Sequence, residues 1–187
     1  LDKCFDCGNK EVKVSLQLQG KSINLCNECF NNRMSDDLGV TLEQPVETFS
    51  LKDNQGISRT FHVEIHLFPN GIYLEAVENI EYGYKFAVHG ELDADQQELL
   101  SKLVEKTRKG ITKQHVETEF FPSGQEYQTI TGNQLKGIFE YNEESSDSPL
   151  VIIDGKPFTW TEVGKMVTSF EGFQFKLEMF DMTEDVE

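Results

Sequence analysis

The sequence predicts an α+β protein: a small four-cysteine metal module at the N-terminus, followed by antiparallel sheet with two helices. Three observations predict it. The four cysteines of the chain fall in two C-x2-C pairs, Cys4/Cys7 and Cys26/Cys29. Apolar and polar residues alternate over much of residues 46–89 and again near the C-terminus, which is the period of half-buried strands. Two other stretches, around 93–110 and 159–170, repeat apolar residues at helical spacing.

The cysteine pairs are separated by residues 8–25, a spacing that reads as a structural zinc site. Zn2+ takes four soft ligands in a tetrahedron with Zn–S near ~2.3 Å. A two-residue gap lets the backbone curl so that both sulfurs of a pair face one point. Gly8 follows the first pair, where such a knuckle needs positive φ. Val12, Val14, Leu16 and Leu18 alternate as a strand, Gly20-Lys21 turns the chain, and residues 22–25 return. Residues 27–34 then suit a short helix. This order resembles the treble-clef or zinc-ribbon class of zinc finger over residues 1–35. Disulfides would need an oxidising compartment, a redox C-x-x-C works as one pair beside a βαβ unit, and iron–sulfur clusters use other spacings. One structural Zn2+ on Cys4, Cys7, Cys26 and Cys29 is therefore expected. Four thiolates close the site, so no chemistry is expected at the metal.

The net charge is −16, from 17 basic and 33 acidic residues. Lys3, Lys10, Lys13, Lys21 and Arg33 nearly balance Asp2, Asp6, Glu11, Glu28, Asp36 and Asp37, so the excess lies after the cysteine module. Nucleic-acid binders carry a basic face, and this chain has no such run; nucleic acid is disfavoured as a partner. No apolar run approaches the ~18–20 residues of a membrane span. There is no apolar h-region of a secretory signal, and cysteines committed to metal point to a reducing cytoplasm.

Residues 35–45 read as a linker, with Gly39 as a breaker and Pro45 closing it. A four-strand meander follows: 46–51, a turn at 53–56, 60–68, a turn at Pro69-Asn70-Gly71, 72–77 and 84–89. A helix comes next, capped by Asp93 with Gln96 as reciprocal partner, carrying Leu99, Leu100, Leu103 and Val104 inward and stopped by Gly110. The cations Lys106, Arg108 and Lys109 at its end suit the helix dipole better than a phosphate site. Residues 115–120 alternate apolar with polar, Pro122-Ser123-Gly124 reads as a turn, and 127–130 as the partner strand. The last block holds strands at 135–141 and 150–153 around an acidic, serine-rich loop at 142–148. Asp154-Gly155 turns into a helix with a Thr159/Glu162 capping box and a Phe158/Val163 staple. Val163, Met166, Val167 and Phe170 form its inward stripe, Gly164 suggests close backbone packing, and Gly172 ends it. Phe173, Phe175, Leu177 and Met179 alternate as a final strand, and an acidic tail is expected to fray. The expected units are 1–40, 46–110 and 111–187, the last two able to pack as one.

Outside the cysteines, candidate sites are few. His62, Glu64 and His66 share one face of a strand and could bind a metal or do acid–base work in a hydrolase-like enzyme. The plainer reading is the polar face of a half-buried strand. His89 and His115 read as isolated sheet or loop residues. Nucleophile elbows and Gly-rich phosphate loops are absent from the sequence. Phe158, Trp160, Phe170, Phe173 and Phe175 are expected in the core, although Trp160, in the first helical turn, would be a partner-docking aromatic if exposed. The stretches Gly71-Ile72-Tyr73-Leu74-Glu75-Ala76-Val77-Glu78, Ile153-Asp154-Gly155-Lys156-Pro157-Phe158-Thr159-Trp160-Thr161-Glu162 and Phe170-Glu171-Gly172-Phe173-Gln174-Phe175 resemble bacterial and phage domains of unknown function. That resemblance implies soluble globular domains and no activity. The expected function is that of a zinc-stabilised, acidic, non-catalytic interaction or adaptor protein whose partner is another protein. Its rival from the charge is an acidic nucleic-acid mimic or inhibitor that occupies a basic site.

Overall fold

The computed structural model describes residues 3–8, 11–18, 20–43 and 46–186, without the side chain of Leu18. The expected Pro45 stop and the last residue of the acidic tail lie outside them. Among the described residues the architecture is α+β, with three α-helices and several antiparallel sheets.

The first knuckle leads into a hairpin of β1 (Val14–Leu18) and β2 (Lys21–Leu25), paired antiparallel from Val14/Leu25 to Leu18/Lys21. Gly8 and Gly20 have φ of 69° and 80°, the left-handed conformation their turns require. Helix α1 (Asn27–Leu38) follows at once. It is longer than its sequence suggested. Ser35 to Leu38 complete it instead of opening a linker, because Met34 and Leu38 still find apolar partners on the next sheet. Gly39 ends it in the left-handed conformation, its N–H donating to the Ser35 carbonyl. Nor are residues 40–43 a free tether. Val40 and Leu42 pack on the main core, and the Gln96 side chain brackets them, donating to the Thr41 carbonyl and accepting the Glu43 N–H.

The meander is as expected: β3 (Thr48–Lys52), β4 (Ser58–Phe68), β5 (Gly71–Glu78) and β6 (Lys85–Gly90) lie in that order, all antiparallel. Asp53 holds the turn between β3 and β4 by accepting the N–H groups of Gln55 and Ile57 on one oxygen. One face of the sheet buries Phe61, Leu67, Ile72, Leu74, Ala76 and Val88 against Leu99, Leu103 and Ile111 of α2 (Gln96–Thr112). Each of the larger of these side chains contributes about 1.5–3 kcal/mol on leaving water.

Two expectations about α2 need correction. Its N-cap is Asp95, whose carboxylate accepts the N–H groups of Gln97 and Glu98; Asp93 lies outside the helix. Gly110 does not stop the helix, which runs on to Thr112. A Cβ on Gly110 would lie 2.1 Å from Cε1 of Phe86, so this glycine lets helix and sheet approach.

The remainder has its own core of Val116, Val151, Ile153, Phe158, Val163 and Met166. It is built from the hairpin β7 (Val116–Phe120) and β8 (Glu126–Ile130) and the sheet order β11-β10-β9, with β9 (Ile138–Glu140), β10 (Leu150–Ile153) and β11 (Lys156–Phe158). Helix α3 (Trp160–Met166) shows the expected Thr159/Glu162 capping box in full. It ends earlier than its pattern suggested, giving way to a 3-10 turn at Thr168–Phe170, and Val167 is exposed. Gly172 is therefore past the helix, and a Cβ on Gly164 would meet nothing within 4 Å beyond its own helix. The expected final strand is absent among the described residues; residues 173–180 run without a ladder partner. The acidic tail is held by Lys106, whose ammonium donates to the carbonyls of Met182 and Glu184.

Candidate metal centre

Four sulfurs converge at one end of α1. The ligand atoms of Cys4, Cys7, Cys26 and Cys29 all lie within 4.8 Å of one another, and the cysteines are free thiols. Cys7 Sγ and Cys26 Sγ are 3.9 Å apart, far beyond a disulfide bond. Four sulfurs at ~2.3 Å from one ion in a tetrahedron would stand about 3.8 Å apart. The donor set therefore fits a tetrahedral metal ion.

The local fold brings them there. The Gly8 N–H donates to the Cys4 carbonyl and closes the first knuckle. Cys26 is the N-cap of α1, and its sulfur accepts the Cys29 N–H at 3.5 Å. Cys4 and Cys26 are buried with Leu25 and Phe30, while Cys7 is exposed. Arg33 of α1 clasps Asp6 of the knuckle through two hydrogen bonds of 2.7 and 2.6 Å. Those bonds, and then the guanidinium charge, hold the Asp6 carboxyl below its usual range against some burial.

Backbone N–H groups, burial and neighbouring sulfurs move two of the thiols in opposite directions. The N–H of Cys7 is the main influence drawing the Cys4 thiol down to about 6, helped by N–H groups of Cys26 and Asp6 and opposed by burial. Cys29 is pushed strongly up, first by burial and then by the neighbouring sulfurs. One thiolate forms readily and the next resists; a bound cation removes that opposition.

The module is fastened to the meander by residues that the sequence did not single out. Beyond Val63, β4 extends past the reach of β3. There the buried side chain of Asn31 donates to the Ile65 carbonyl at 2.8 Å and accepts the Leu67 N–H at 3.0 Å. Asn27 donates to the same carbonyl at 2.9 Å. Phe30 meets Phe68 with ring centroids 5.7 Å apart, and Met34 touches both cores.

His62, Glu64 and His66 do share a sheet face, but they do not converge. His62 is exposed and pairs across the sheet with Val77. His66 Nε2 stands 3.7 Å from Glu64 and 4.0 Å from Glu75, and its Nδ1 meets Asn27 Oδ1 at 3.0 Å. Since Asn27 gives its amide N–H to Ile65, its oxygen accepts and His66 Nδ1 carries a proton. Neither the open cavity at residues 139–149 nor the small one between Ile65, Leu74 and Gln96 is lined by these residues.

Two buried polar clusters escaped sequence reading. Arg59 pairs with Asp53 at 2.8 Å and Glu78 at 2.9 Å and lies over the Tyr84 ring. His115 is buried and meets Asp154 at 2.9 Å, while Asp154 also accepts the N–H groups of His115 and Val116. His115 Nε2 is buried without a partner. The advance signal was the Asp154-Gly155 turn, at which Asp154 takes a φ of 52°.

Residues 3–41, 43–112 and 115–184 match three domain-family models, described as domains of unknown function DUF7685, DUF7686 and DUF7713 respectively. No curated protein and no solved structure matched the chain. Among the described residues no helix is long and apolar enough to cross a membrane.

Proposed function

We propose that the chain is a zinc-stabilised, non-catalytic interaction protein whose partner is another protein with a basic surface. The observation that carries this reading is the closed set of four sulfurs at the root of a helix that docks on a sheet edge. A four-thiolate site offers no open position for water or substrate, so its metal fastens α1 in place. Zinc is preferred over iron–sulfur chemistry because the 3.9 Å spacing of Cys7 and Cys26 suits a single ion. Without metal the small module has little core of its own. The partner-facing surface is the acidic remainder. Tyr141 and Trp160 are 74% and 48% exposed there, and the Phe139 ring lies 5.9 Å from that of Trp160. Exposed aromatic anchors within an acidic field suit a basic protein partner.

The test has two parts. Elemental analysis should find about one zinc per chain, as one four-thiolate site requires; a coloured iron centre or no metal contradicts the assignment. Partners captured from the native host should be lost together with Tyr141→Ala/Trp160→Ala. Capture that ignores those residues and vanishes only with salt would instead favour the nucleic-acid mimic.

A further inference from the structure

Residues 173–180 combine features that a folded chain rarely leaves in water. Phe173, Phe175, Leu177, Met179 and Phe180 are 73%, 90%, 57%, 66% and 46% exposed. Contiguous exposed apolar side chains of this size mark an interaction surface. No backbone–backbone hydrogen bond among the described residues engages 174–180. The segment is nevertheless mounted at both ends. Before it, Phe173 donates to the Phe170 carbonyl and their rings meet edge to face. After it, Asp181 accepts from Thr183, and Lys106 of α2 grips the carbonyls of Met182 and Glu184.

We infer that this segment is an unpaired strand whose partner is the same segment of a second copy, joined antiparallel about a two-fold axis at Leu177. The charges select that register. A pairing that keeps Phe175, Leu177 and Met179 on one face and sets most of residues 174–180 against the same segment is centred on Lys176, Leu177 or Glu178. Centring on Lys176 or on Glu178 sets a residue opposite its own like-charged copy, which is unfavourable. Centring on Leu177 sets Lys176 of each copy opposite Glu178 of the other, Phe175 opposite Met179, and Leu177 opposite Leu177. Within one chain Lys176 and Glu178 already lie together, 2.6 Å apart, so the polar face carries both signs side by side. Pairing gives the idle N–H and C=O groups partners and covers part of the apolar row, the physics of strand addition between chains. It does not depend on the metal or on the partner proposed above.

The test uses the full chain, zinc-loaded. Sedimentation over a wide concentration range should show a reversible dimer. Lys176→Glu should weaken it about tenfold or more, through two new like-charge pairs, and Lys176→Glu/Glu178→Lys should restore it. Leu177→Cys should cross-link two chains on mild oxidation, whereas Gln174→Cys, opposite Phe180 in this register, should not. A monomer at every concentration overturns the inference, whether or not it binds phosphatidylcholine vesicles. So does equal cross-linking at both positions, or a charge swap that fails to restore what the single reversal lost.

Discussion

The side chain of Asn31 stands where a neighbouring strand would stand beside Leu67, accepting its N–H at 3.0 Å while donating to the Ile65 carbonyl two residues back. β3 leaves this part of β4 uncovered, and an open edge is both unsatisfied and prone to wrong pairing. Asn31 lies two residues after Cys29, and Asn27 lies one residue after Cys26. The metal centre and the closed edge are therefore consecutive parts of one helix. Asn31→Ala should cost about 1–3 kcal/mol, the usual penalty for stranding buried polar groups. Denaturant unfolding measures it, and the Leu67 amide should exchange faster in the same variant.

His66 should matter through Asn27 and His62 should not matter. His66→Ala removes the partner of the Asn27 oxygen, with an expected loss of about 0.5–1.5 kcal/mol. His62→Ala, at an exposed position, should stay within about 0.5 kcal/mol of the parent. Equal effects of both, together with loss of a hydrolytic activity, would revive the enzymatic reading of this face.

The two helical glycines should respond in opposite directions. Gly110→Ala drives a methyl group into the Phe86 ring and should cost about 1–3 kcal/mol despite the better helix propensity. Phe86→Leu in the same chain should recover part of that loss. Gly164→Ala meets open space and should stabilise by about 0.5–1 kcal/mol. Thermal unfolding of the variants checks both signs.

Asp154 gives the fold an acid limb. Burial alone would raise its carboxyl, but hydrogen bonds from the His115 ring and from the N–H groups of His115 and Val116 together hold it below the usual carboxylate range. A depressed folded value contributes stability that is fully present above the unfolded carboxylate pKa, near ~3.9. That stability is lost as pH falls through the lower folded value. The stability difference between the parent and Asp154→Asn should therefore be largest near neutral pH and shrink below about pH 4. Unfolding of the pair from pH 7 to pH 2 reads this directly; a constant difference would show that the charge on Asp154 is irrelevant.

What was legible in the sequence was local. The cysteine spacing, the Thr159/Glu162 box and the Pro69-Asn70-Gly71 turn each specify geometry within a few residues, and each appears in the fold. Asp93 and Asp95 are both capping residue types two positions apart, and Asp95 caps the helix whose Leu99 and Leu103 pack on the sheet. Gly110 and Gly172 looked like stops because a glycine in sequence does not reveal its neighbour, Phe86 in one case and a coil in the other. The 173–179 alternation is that of a strand, but a strand forms only where another is available, and none pairs with this segment among the described residues. Asn27 and Asn31 were invisible because their partners lie some 34 to 39 positions away.

The most direct measurement is residue-resolved amide hydrogen exchange of the metal-loaded and the chelator-treated protein. If the four-thiolate centre holds α1 against β4, chelation should release the amides of α1 and that of Leu67 together, while Leu74 and Ala76 in the centre of the sheet stay protected. Unchanged protection of Leu67 after the metal has gone would contradict that coupling, and so would a fully protected α1.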